Sequence, residues 1–78
     1  MSRKATMCEN DLAACAKDFR EKAGKTRAQA AREMDVSQTS IFHAEESPEQ
    51  GLTKLRMRMI EAYSKFKVRG PVFLLEGK

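Results

Sequence analysis

The sequence predicts an all-α domain of four helices with a short C-terminal β-strand or hairpin arm, and three observations carry that prediction. Apolar residues recur at helical spacing in four stretches, separated by Gly24, by Asp35-Val36-Ser37 and by Ser47-Pro48-Glu49-Gln50-Gly51. The second and third stretches, between Thr26 and Glu46, are joined by a turn so short that they read as a helix-turn-helix. After the fourth stretch, Lys65-Phe66-Lys67-Val68-Arg69 alternates as a strand does, and Gly70-Pro71 precedes the apolar run Val72-Phe73-Leu74-Leu75.

A chain of 78 residues bounds the answer to one domain, 1–78, which buries only about 60% of its unfolded surface and has little room for a catalytic cleft. With 41% apolar and 33% charged residues it is neither disordered nor membrane-spanning in composition. Met1-Ser2-Arg3-Lys4-Ala5-Thr6-Met7 has no apolar signal core, so the expected location is cytoplasmic. No nucleophile-base motif, glycine-rich phosphate loop or ligand cluster is present, and His43 is the single histidine. The expectation is therefore a protein that is not an enzyme and needs no cofactor or metal.

The first helix is predicted to start at a Thr6-x-x-Glu9 capping box or at Asn10, and to carry Cys8, Leu12, Cys15 and Phe19 on its inner face until Gly24 ends it. Cys8 and Cys15 stand two helical turns apart, about 10.5 Å along the axis, too far for a disulfide, so both are expected as reduced packing residues. The second helix is predicted from about Arg27 to Met34, capped by Thr26, with Ala30, Ala31 and Met34 facing inward. In the turn, Asp35 tolerates left-handed backbone, Val36 is an apolar plug and Ser37 can cap the next helix. The third helix, Gln38 to about Glu46, turns Ile41 and Ala44 inward; Thr39, Phe42, His43 and Glu46 lie opposite, with Gln38 at the exposed tip. The fourth carries Leu52, Leu55, Met59 and Ala62/Tyr63, reaching as far as Phe66. Met57 and Ile60 form a second apolar edge, and Lys54, Arg56 and Arg58 a basic face. In the tail, residues 72 to 75 are read as a strand whose two faces both need cover.

The stretch Thr26 to Glu45 resembles the phage-repressor and Cro-type (XRE-like) helix-turn-helix family. Thr26 falls where that family caps its second helix, Ala31 where it has a small residue at the helix crossing, and Val36, Ile41 and Glu45 where it has a turn plug, a core aliphatic and an acidic residue. Upstream, Phe19-Arg20 and Gly24 resemble its L-R-x-x-x-G lead-in. The chain departs from the pattern at Asp35, where Gly is usual, at Lys25, where an apolar residue is, and at Arg27, where Gln is common. The likeness spans roughly residues 10 to 66 and leaves out the tail.

The resemblance implies a repressor-like domain that binds a double-stranded DNA operator as a homodimer and regulates transcription, with the helix from Gln38 in the major groove. Gln38 suits a bidentate contact to adenine; Thr39 can bond a base edge or offer its methyl to thymine; Phe42 can touch a thymine methyl or pack on a neighbour; His43 can reach a base or a phosphate. Lys25, Thr26, Arg27, Ser40, Lys54 and Arg56 are the phosphate candidates. The dimer interface is expected either at Met57 and Ile60 or at Val72, Phe73, Leu74 and Leu75, with residues 71 to 76 pairing with or packing on the same segment of a second chain.

Charge complicates this expectation. The formal net charge is +4, yet residues 1 to 51 carry eight basic and nine acidic side chains while residues 52 to 78 carry seven and two. The helix-turn-helix is itself net negative: Arg27 and Arg32 stand against Glu33, Asp35, Glu45 and Glu46. Rival expectations follow: an autorepressing antitoxin whose apolar arm grips a toxin, and a protein-interaction adaptor that does not touch DNA. The basic amphipathic stretch 52 to 69 also suits an anionic surface, although no membrane is expected among the partners.

Overall fold

Two residues in left-handed backbone decide where the helical chain turns back on itself. In the computed structural model, which describes residues 6–7, 9–69 and 73–77, these are Gly24 (φ 73°) and Asp35 (φ 60°). The elements run β1 (Thr6–Met7), α1 (Glu9–Lys22), α2 (Arg27–Met34), α3 (Gln38–Glu46), α4 (Thr53–Tyr63), β2 (Phe66–Arg69) and β3 (Phe73–Gly77). The domain is compact and mostly helical.

Both helix stops have the same hydrogen-bond pattern. After α1, the Gly24 N–H donates to the Glu21 carbonyl and Lys25 N–H to Arg20; after α2, Asp35 N–H donates to Arg32 and Val36 N–H to Ala31. Such paired bonds satisfy carbonyls that the end of a helix leaves open. Thr26 caps α2 in a reciprocal box: its hydroxyl accepts from Gln29 N–H while the Gln29 side chain accepts from Thr26 N–H. Ser37 caps α3 by accepting from Ser40 N–H.

The core is built from Leu12 and Ala16 of α1, Ala30, Ala31 and Met34 of α2, Ile41 and Ala44 of α3, Leu55, Met59 and Ile60 of α4, and Val68 of β2. Alanines at 30, 31 and 44 keep α2 and α3 close, as the expected helix crossing requires. Among the described residues, the charged side chains of Arg20, Glu45 and Arg56 are buried with them.

Several expectations are corrected here. The first helix begins at Glu9, beside the alternative start at Asn10 and not at the Thr6 capping box, because Thr6 and Met7 pair with Leu74 and Phe73 in a sheet. Phe66 belongs to β2 and not to the fourth helix, and its ring lies 6.0 Å from that of Phe19. Ile60 is fully buried and Met57 packs against the core. They do not form a free edge, which removes Ile60 from any interface. Cys15 is half-buried, and burial pushes its thiol pKa up. Cys8 and Val72 lie outside the described residues, as do the side chains of Phe73, Leu74 and Leu75.

The strands form an antiparallel sheet in the order β1-β3-β2. β3 is central, so the backbone expected to pair with a second chain pairs instead within its own, Phe73 and Leu74 with β1 and Leu74 to Gly77 with β2. Along β2, the N–H groups of Phe66 and Val68 donate to side chains at the C-terminal end of α4 and just after it, Ser64 Oγ and Glu61 Oε2.

Candidate nucleic-acid interface

The inner face of α3 is held by Ile41, Ala44 and Glu45, all buried, which turns Gln38, Thr39 and Phe42 to solvent. The helix is fixed from both ends. At its start, the Ser37 cap and a 3.0 Å contact between the Ser37 and Ser40 hydroxyls occupy Ser40. At its end, the fully buried Arg56 donates from Nε to the Ala44 carbonyl (2.8 Å), from Nη2 to Ser47 (2.8 Å) and from Nη1 to Gln50 (3.0 Å).

Arg56 was expected to contact phosphate, and that expectation is wrong. Residues two apart on a helix are about 200° apart around it, so Lys54 and Arg56 cannot share a face; Lys54 and Arg58 can. Lys54 is exposed, and Arg58, also exposed, donates to the Met34 carbonyl at the end of α2.

The acidic residues of the α2–α3 pair do not form an open negative face. Buried Glu45 accepts from Arg20 Nε and Nη2 and from Arg27 Nε. Glu46 accepts from Arg27 Nη2 at 3.0 Å and Lys17 Nζ at 2.8 Å. Glu33 accepts from the Tyr63 hydroxyl and from Lys25 Nζ. Of the four acids counted against DNA binding, Asp35 alone is outside these contacts, and it is exposed in the turn. The same contacts engage two of the expected phosphate residues, Lys25 and Arg27, with carboxylates. Thr26 is exposed with its hydroxyl used as the cap.

Phe42 is 44% exposed and its ring is stacked on the Arg27 guanidinium, whose central carbon lies 5.0 Å from the ring centre. His43 is half-buried and turned toward the α3–α4 linker: Nδ1 lies 3.2 Å from Ser47 Oγ and 3.4 Å from Gln50 Nε2. The structure thus brings Gln38, Thr39 and Phe42 to one outward face and draws His43 toward the linker.

Sequence reasoning did not assign Arg20 a role, although its spacing from Leu12 and Ala16 puts it on the apolar stripe of α1. The guanidinium is held in its charged form first by its hydrogen bond to Glu45. Lys17 holds the Glu46 carboxyl below the ordinary carboxylate range, and the Tyr63 hydroxyl, then Lys25, does the same for Glu33. Burial, then the Glu33 bond, pushes the Tyr63 phenol up.

These depressed carboxyl pKa values give a pH dependence with a definite sign. Their stabilisation is present above the unfolded carboxylate value, about 4.3, and is lost as pH falls through the lower folded values. The melting temperature is expected to stay level above about pH 5.5 and to fall below it, with a shallower fall in Lys17→Met. High salt should blunt the effect, since these pairs are solvent-facing. An identical acid limb in the variant would remove Glu46 from the explanation.

Among the described residues, no group of acidic, His and Cys side chains could hold a metal, and no helix is long and apolar enough to cross a membrane. Comparison of the chain with protein families, with curated proteins and with solved structures finds no match.

Proposed function

We propose that the protein is a sequence-specific DNA-binding transcriptional regulator, a repressor-like domain that inserts α3 into the major groove of an operator and acts as a repressor. One observation carries the reading. α3 follows α2 after a three-residue turn and is anchored along its inner face, so that Gln38, Thr39 and Phe42 project together from a rigid support. Base readout needs that combination of outward chemistry and fixed orientation. The pairing of Glu33, Glu45 and Glu46 with cations weakens the electrostatic objection, and exposed Lys54 is the basic side chain of α4 best placed to meet a phosphate. A regulator of this kind reads two half-sites as a homodimer, its two reading helices about 34 Å apart.

The test is enrichment of duplexes from a random library by the full chain, followed by titration of Gln38→Ala. A bidentate contact from Gln38 to adenine is expected to make that substitution cost about 1–3 kcal/mol on the enriched duplex and little on unrelated DNA. Equal losses on both would remove Gln38 from base reading. Failure to enrich any duplex would end the DNA-binding proposal.

A further inference from the structure

Phe42 is the only large apolar side chain exposed among the described residues. A single exposed apolar residue is ordinary on a protein surface; its mounting is not. The ring lies on the Arg27 guanidinium, and that guanidinium is itself fixed by Glu45 and Glu46, at 3.0 Å each. His43 stands edge-on to the same ring, centroids 5.5 Å apart at 74°. An ion-pair network and a second aromatic therefore brace the ring on the outward face of α3, four residues after Gln38.

A phenyl ring has no hydrogen bond to offer, and the apolar group that the major groove presents at a base edge is the thymine 5-methyl. Four residues of helix span about 6 Å, close to two base steps of about 3.4 Å. We infer that Phe42 is a specificity-determining residue that reads the 5-methyl group of a thymine about two base pairs from the pair read by Gln38. The inference rests on the DNA-binding reading and adds to it the class of half-site, one with an adenine and a methyl-bearing pyrimidine at that spacing.

The experiment replaces each thymine of the enriched duplex in turn by deoxyuracil, which removes the methyl and leaves the hydrogen-bonding edge intact. Wild-type protein is expected to lose about fourfold in affinity at one thymine, the factor that one buried methyl carries. Phe42→Ala is expected to bind the unmodified duplex more weakly and to lose nothing further at that position, while Phe42→Leu keeps part of the sensitivity. Circular dichroism of both variants checks that the helices remain. If wild type and Phe42→Ala give the same uracil profile on an enriched duplex, the inference is wrong and the DNA-binding reading stands. If no duplex is enriched, both fall.

Discussion

Glu45→Ala is expected to lower the unfolding free energy by about 3–5 kcal/mol, because it takes from a buried guanidinium its hydrogen-bonded carboxylate and leaves it the exposed Glu21 carboxylate at 3.7 Å. Arg20 is 6% exposed and Glu45 5%, and the carboxylate accepts from both Arg20 and Arg27, joining α1, α2 and α3 at one point. For a domain of this size each kcal/mol moves the melting temperature by roughly 4–8 °C, so a fall of more than about 12 °C is expected by circular dichroism. The double variant Arg20→Met, Glu45→Leu is expected to recover much of the loss, since it removes both buried charges and fills their space with apolar groups. A single variant within about 1 kcal/mol of wild type would mean that the pair is solvated and the three helices are held by packing alone.

The second large effect is expected at Arg56. Methionine keeps much of the volume and removes the donors to Ala44, Ser47 and Gln50. The Ser47 and Gln50 carbonyls keep the backbone donors Gln50 N–H and Leu52 N–H, so the main cost falls on the buried Ala44 carbonyl. A buried acceptor that loses its donor costs about 1–3 kcal/mol, and a loss in that range is expected for Arg56→Met. The comparison that decides the assignment is Lys54→Met, an exposed position expected to stay within about 0.5 kcal/mol of wild type. Amide exchange adds a local readout: protection at the C-terminal end of α3 should fall by more than protection in α1. Similar costs at 54 and 56 would refute the burial of Arg56 as the anchor of α3.

The helix stops and caps were legible because each is written in one or two residues: Gly24 and Asp35 for the left-handed positions, Thr26 and Ser37 for the caps. The buried charges were harder to read, yet their signal was present. Arg20 continues the row Leu12, Ala16; Glu45 continues Ile41; Arg56 lies four residues from both Leu52 and Ile60. A charge in register with an apolar stripe marks a buried ion with a partner elsewhere, whereas counting Lys54, Arg56 and Arg58 as one basic face ignored the helical angle between neighbours. β1 was not legible at all. Two residues carry no period, and their conformation depends on pairing with Phe73 and Leu74 at the far end of the chain. The stacking of Phe42 on Arg27 likewise depends on two helices meeting, which no local pattern encodes.

The side chains that receive the Phe66 and Val68 amides also affect how readily the sheet can add strands. A strand edge with open amides is a template for further strands, and a sheet with two such edges can add copies without limit. Ser64 and Glu61 take up two of the amides on the β2 side, and β1 is the outer strand opposite among the described residues. Strand addition on the β2 side is thereby hindered, which works against a growing fibre built on the apolar Val72-Phe73-Leu74-Leu75 stretch.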